Sequence, residues 1–404
     1  MFKQHCYKFL FFSVLAAVLF VPAGCKKENS GAPVINQIRA ISPAPNDSVL
    51  TIAGPGQTVV IQGNNFSSTQ QVYFNGYLSP FNAALLSENN IVVTIPSDMP
   101  FASLDPADLN TIKVVTSNGE VTFTFPIEPP PPVINSASNE YAAAGDQLTI
   151  TGNNFFYIDK VIFPGGIEVT TDIEANATGT VMQLTVPPGI TTGGPLQVVN
   201  RYGVGTSLLL FNDYTTGVLC NFDNVNTLNN WAGATIKNSA TDFPGNTGMY
   251  AHLKYSDIPA NDFVWYGGGR SLNVEVNLPW VPTADLNLPL DNYAVKFEIS
   301  TNDEWKGGSL FIVKDYSWNF LARYEPWKSG TVKTEGWKTV VVPLSLFKTK
   351  ANNMDGTGDP ASSMTALLGA SGSGGINIFV INAENSVLPV FDLAVDNFRV
   401  ARIK

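Results

Sequence analysis

Hydrophobic residues along this chain come in short alternating runs, and no long stretch keeps the period of an amphipathic helix. Leu148-Thr149-Ile150-Thr151 is one such run. In another, Tyr293-Ala294-Val295-Lys296-Phe297-Glu298-Ile299, Tyr, Val, Phe and Ile fall on one face of a strand and Ala, Lys and Glu on the other. Clusters of Gly, Asn, Asp and Pro punctuate the runs, as in β-sandwiches. Residues 105–109 allow one helical turn at most. The expectation is an all-β protein.

The first half repeats itself. Gly56-Gln57-Thr58-Val59-Val60-Ile61-Gln62-Gly63-Asn64-Asn65-Phe66 returns as Gly145-Asp146-Gln147-Leu148-Thr149-Ile150-Thr151-Gly152-Asn153-Asn154-Phe155. The offset continues through Val72, Phe74 and Gly76 against Val161, Phe163 and Gly165, and each copy opens on Pro-Val-Ile at Pro33 and Pro132. Such regularity means two copies of one supersecondary unit. In the turn, Gly63 and Gly152 can take a positive φ, the asparagines after them tolerate a left-handed backbone, and Phe66 and Phe155 return to the core. The opening Pro-x-Ile and the Gly-Asn-Asn-Phe turn resemble IPT/TIG modules, which implies immunoglobulin-like sandwiches over residues 33–126 and 133–213. These modules serve as spacers, dimerisation units and, elsewhere, DNA-binding domains. Residues 127–132 form a linker ending in consecutive prolines (129–132), which favour an extended strut of about 3.1 Å per residue. No comparable stiffener marks the junction near Asp213 and Gly217.

Charge and the N-terminus narrow the setting. A formal charge of −10 and a pI near 4.7 argue against nucleic acid as a partner, and with export they favour the spacer role. Lys3 and Lys8 precede an apolar stretch over residues 9–20, broken only by Ser13 and too short to span a membrane. Small residues then lead into Ala23-Gly24-Cys25. That order is a secretory signal, residues 1–24, and Ala-Gly-Cys resembles a bacterial lipoprotein lipobox in which Cys25 is lipidated. An ordinary signal peptide that leaves Cys25 free fits the same order; the polar run over residues 26–31 favours the anchor, with residues 25–32 as its tether. Lys26-Lys27-Glu28 partly resembles the charged signal that sends Bacteroidetes lipoproteins to the cell surface. Besides Cys6 and Cys25 the chain has only Cys220, so no disulfide framework or Cys metal cluster forms.

Composition changes after residue 213. All seven tryptophans lie in the region 214–404, more than one sandwich core needs, so several should be partly exposed. Exposed aromatic planes on a β-sandwich suit carbohydrate: the C–H face of a pyranose stacks on the ring while polar neighbours bond the hydroxyls. Trp337, in a strand running into Pro343, reads as core, and Trp231 fits either role. The expected platform is Trp265, Tyr266, Trp280, Trp305, Trp318, Tyr324 and Trp327. Trp265-Tyr266 precedes three glycines, Trp280 is flanked by Pro279 and Pro282, and Trp305 lies in a turn-like segment. Arg323, Glu325 and Lys328 are the expected hydroxyl partners.

Arg323-Tyr324-Glu325-Pro326-Trp327 and Gly336-Trp337-Lys338-Thr339-Val340-Val341-Val342-Pro343-Leu344, joined to a lipobox and tandem IPT/TIG modules, resemble Bacteroidetes surface glycan-binding proteins of the B type with a C-terminal xyloglucan-binding domain. Val395-Asp396-Asn397-Phe398-Arg399-Val400 is similar to the last strand of jelly-roll carbohydrate-binding modules. The resemblance implies a larger C-terminal jelly-roll-like β-sandwich over 214–404. It also implies an outer-membrane lipoprotein facing the cell exterior, and non-catalytic capture of a β-linked plant glycan, such as xyloglucan or a related β-glucan, beside a SusC/SusD-like transporter. No cofactor is expected. Other classes have less behind them. One is an adhesion protein whose repeats display a protein-binding tip. A hydrolase would draw on Glu298, Glu304, Glu325 or Asp315, but no spacing marks a pair. His252, the one histidine beyond the leader, reads as structural, and Asp223 and Asp396 could share a structural Ca²⁺.

Overall fold

The computed structural model describes residues 31–225, 228–229, 235–238, 241–245, 248–264 and 269–404. The leader, Cys25 and its tether lie outside the described residues, as do Trp231, Trp265 and Tyr266. The fold is almost wholly antiparallel β. The described residues fall into two compact units: one ends at Glu128, and the other runs from Pro129 to Lys404 and takes in residues 100–103.

In the first unit, the sheet holding Val34–Ala40, Thr58–Asn64, Phe81–Leu86 and Asn90–Thr94 packs against one holding Thr69–Phe74, Tyr77–Ser79, Thr111–Thr116 and Gly119–Thr124. The second repeat builds the same pair of sheets, with Gln147–Asn153 matching Thr58–Asn64 and Ile158–Phe163 matching Thr69–Phe74. Phe66 and Phe155 are buried, and Asn65 and Asn154 adopt left-handed φ of 65° and 61°. The glycines do not use the positive φ open to them: neither Gly63 nor Gly152 adopts one. What excludes a side chain is close approach, since a Cβ on Gly152 would lie 1.9 Å from the Val133 carbonyl oxygen and 2.5 Å from Phe155 Cζ. Gly152→Ala is therefore expected to cost about 3 kcal/mol through overpacking, read as a lowered denaturant midpoint.

The C-terminal domain is a two-sheet sandwich. One sheet orders Thr235–Lys237, Tyr250–Ile258, Leu388–Arg402, Tyr293–Thr301 and Lys338–Pro343, with Val218–Cys220 also paired to the long strand Leu388–Arg402. The other orders Leu228–Asn229, Ser271–Pro279, Ser373–Ile381, Ser309–Lys314 and Leu321–Tyr324. Between them Val295, Phe297, Ile299, Leu393 and Val395 from the first sheet meet Leu272, Val274, Leu310, Ile312, Ile376 and Ile378 from the second.

The outer face of the strand Tyr293–Thr301 is buried too. Lys296 and Glu298 are 3% and 1% exposed because the second immunoglobulin-like domain covers them. Glu140 of that domain binds Lys296 Nζ at 2.5 Å and Arg399 Nη2 at 2.6 Å. Arg399 Nη1 reaches Glu298 at 2.9 Å, and its guanidinium lies 4.8 Å over the Tyr141 ring. Thr339 donates its N–H to the Ser138 carbonyl and its hydroxyl to Glu298. The junction near Asp213, read in sequence as unstiffened, thus has a buried ionic lock. Burial pushes the Glu140 carboxyl up, but Arg399 and Lys296 outweigh it and hold it below its ordinary value.

Candidate functional site

The five-stranded sheet has a second apolar layer on its outward side. Leu310 and Ile312 point into the sandwich, so Phe311 and Val313 point away from it; Phe379, Ile381 and Leu321 join them in a separate cluster. Register aligns Phe379 with Phe311 and Phe311 with Arg323, and Asn273 with Asn377 one row along. These outward phenylalanines are still fully buried because the chain folds back over them. Gly356, in the hairpin over residues 349–359, lies so close that a Cβ there would stand 2.5 Å from Leu321 Cδ1.

The main cover is the turn Lys314-Asp315-Tyr316-Ser317. Ser317 donates its N–H to the Lys314 carbonyl at 2.8 Å, and both central residues are left-handed, with φ of 48° at Asp315 and 55° at Tyr316. This is the mirror-image turn that suits Asn-Gly. A tyrosine in it costs about 1–2 kcal/mol. Three hydrogen bonds offset the strain. Asp315 Oδ1 accepts from Gly375 N–H at 2.6 Å, Tyr316 N–H donates to Asn377 Oδ1 at 2.8 Å, and the Tyr316 hydroxyl donates to Glu275 Oε1 at 2.6 Å.

Two residues on, Trp318 lies almost parallel to Phe379, with centroids 5.2 Å apart and planes 17° apart, and meets the edge of Phe311 at 6.5 Å. One indole face is pinned to the sheet; the side chain remains 37% exposed. Arg323 sits 4.9 Å over Phe311 and donates to Glu325 Oε1 at 2.7 Å. Its Nε is buried with no hydrogen-bond partner among the described residues, leaving the ring as its neighbour. Burial raises the Glu325 carboxyl, yet Lys328, Ser309 and Arg323 together hold it below its ordinary value.

The structure brings Trp318 and Arg323 to one face and removes four expected members from it. Trp280 is 1% exposed: Pro279 and Pro282 bracket a turn that tucks the ring inward, where its Nε1 donates to the Gly374 carbonyl and its edge meets Phe347. Trp305 is 6% exposed, donates to the Gly308 carbonyl and packs edge-on against Tyr324 and Phe391. Tyr324 alternates with Arg323 and so faces the core, where burial pushes its hydroxyl up to about 12. Trp327 is half-buried at the sandwich end, its Nε1 also on the Gly308 carbonyl and Lys328 Nζ 5.5 Å over its ring. Tyr316, Glu275, Asn377 and Phe379 were not evident from sequence.

Elsewhere, Trp337 is buried with Phe243 and Tyr250, and His252 pairs with Asp392 at 2.7 Å beneath Phe243, both structural. Asp223 accepts from Met249 N–H and Asp396 from Asn397 N–H. Among the described residues no group of three or more His, Cys, Asp or Glu is placed to hold a metal ion. A separate cleft of about 240 Å³, lined by Leu208, Leu210, Trp280, Tyr293 and Arg402, lies between the second immunoglobulin-like domain and the C-terminal sandwich.

Residues 211–402 match the family described as surface glycan-binding protein B xyloglucan-binding domain, and residues 37–125 match the IPT/TIG domain. The C-terminal half of the chain is thus similar to the xyloglucan-binding domain of B-type surface glycan-binding proteins, and its first repeat to an IPT/TIG domain. An IPT/TIG domain-containing protein of Bacteroides ovatus is 28% identical over 187 residues, a match that covers 43% of this chain and 38% of that relative. A surface glycan-binding protein B of Prevotella bryantii has a TM-score of 0.70 at 20% identity, covering 93% of this chain and 99% of that one. A structure solved with xylogluco-oligosaccharide has a TM-score of 0.51 at 18% identity, covering 92% and 100%. At these identities the two structures show a shared fold.

Proposed function

We propose that the outward face of the five-stranded sheet binds a neutral β-linked polysaccharide, xyloglucan or a related β-glucan, without cleaving it. The observation that carries this reading is Trp318, laid flat on Phe379 with its other face outward. A pyranose needs such a plane, and an open face accepts the middle of a polymer as readily as its end. The xyloglucan-binding family match over residues 211–402 supports the choice of glycan class. Binding without hydrolysis is favoured because the carboxylates beside Trp318 already serve the fold: Glu325 holds Arg323, Asp315 caps Gly375 and Glu275 accepts from Tyr316. In this reading Cys25 is the lipid anchor of an outer-membrane protein facing the exterior, and glycan is passed to a SusC/SusD-like transporter.

Native gel electrophoresis through a panel of plant and microbial polysaccharides tests the reading. Retardation by xyloglucan or another β-glucan, with no release of reducing sugar, is expected. Free migration through every glycan would refute binding, and reducing sugar released from a retarding glycan would make the protein a hydrolase.

A further inference from the structure

We infer that Tyr316 is a second sugar-contacting residue, and that with Glu275 it forms a hydroxyl-reading pair that selects neutral over acidic glycans; this rests on the function proposed above. Tyr316 and Trp318 share one support. The Tyr316 ring lies 6.3 Å from Phe379 at 43°, whereas Trp318 is nearly parallel to the same ring. The indole therefore forms a floor, and the tilted phenol stands beside it as a half-exposed wall.

The phenol is oriented for a hydroxyl. Because its proton goes to Glu275 Oε1 at 2.6 Å, the phenolic oxygen turns lone pairs, not a proton, toward a bound ligand. Glu275 is exposed on the strand Ser271–Pro279, so its carboxylate is a second acceptor beside the first. Asp315, one residue from Tyr316, is paired with Lys314 and accepts from Gly375 N–H, so the negative charge facing a ligand comes mainly from Glu275. A sugar hydroxyl can donate to such a group of acceptors. A uronate or sulfate brings negative charge against carboxylates and gains no proton to share.

The backbone supplies an independent reason. The turn itself does not require a tyrosine, since Gly or Asn would close it without strain; the ring adds packing on Phe379 and the hydroxyl a bond to Glu275. Strain of this kind gathers at ligand sites, where the surroundings over-determine it. Here the side chain of Asp315 and the amide of Tyr316 are both tied to the strand Ser373–Ile381, which holds the strained turn down and the phenol in place.

The test compares full-length wild type, Tyr316→Gly, Tyr316→Phe and Glu275→Gln, each titrated calorimetrically with soluble xyloglucan and mixed-linkage β-glucan and with an acidic polysaccharide, polygalacturonate. Thermal midpoints are measured in parallel. Tyr316→Gly relieves the strained backbone but gives up the ring on Phe379 and the bond to Glu275, so it is expected to hold the midpoint near wild type while losing at least tenfold in affinity. Tyr316→Phe, which keeps the ring, should lose several-fold. Glu275→Gln should narrow the gap between neutral and acidic glycans. Wild-type binding left unchanged by both tyrosine substitutions would overturn the inference while leaving the proposed function standing. A midpoint for Tyr316→Gly well below wild type would overturn the strained-turn argument. Wild type that binds none of these glycans would overturn the proposed function, and the inference with it.

Discussion

Trp318→Ala is expected to weaken β-glucan binding about thirtyfold, or about 2 kcal/mol, the scale of an aromatic hot spot, with only a small fall in stability. The indole is 37% exposed, and its main contact is the stack on Phe379. Removing that stack costs about 0.5–1.5 kcal/mol of fold stability beyond the lost area. The same substitution at Trp280 or Trp305 should do the reverse. Those rings are 1% and 6% exposed and fill the sandwich core, so truncation should cost about 3–5 kcal/mol. Calorimetric titration beside denaturant unfolding separates the two kinds of tryptophan. Equal losses of affinity and stability at all three would remove the distinction between platform and core.

Arg399→Met is expected to destabilise the unit that begins at Pro129 by about 3–5 kcal/mol, because it leaves the buried carboxylates of Glu140 and Glu298 with one cation, Lys296. Glu140→Gln should be milder and should change the response to pH. The native Glu140 carboxyl lies below its ordinary 4.5, so its contribution is fully present above that value and fades as pH falls through the depressed one. Glu298 works in the opposite sense: burial pushes its carboxyl up despite Arg399, so its ionisation costs stability as pH rises through the raised value. Urea unfolding across acid pH should show a steeper loss below 4.5 in wild type than in Glu140→Gln. Parallel curves would remove Glu140 from the acid response.

The sequence carried more of the fold than of the site, for a physical reason visible in single residues. Alternation in the strand Tyr293–Thr301 correctly separates Val295, Phe297 and Ile299 from Lys296 and Glu298. It could not say that the polar side faces a second domain, because periodicity reports which residues share a face and not what covers it. The repeated Gly-Asn-Asn-Phe turn was legible in its asparagines and phenylalanines, whereas the role of Gly152 depends on the distant Val133 carbonyl. Tryptophan segregation identified the domain with the aromatic chemistry. It could not sort Trp318 from Trp280, since both sit near turns and only the fold decides which ring turns inward. Tyr316 became visible only through its backbone conformation.

The most direct test is a crystal structure of the protein with a β-glucan oligosaccharide. A pyranose ring parallel to the exposed face of Trp318, about 4 Å from it, with a hydroxyl about 3 Å from the Tyr316 oxygen, is the predicted result. Sugar ordered in the cleft lined by Leu208, Trp280 and Tyr293, with the Trp318 face bare, would contradict it.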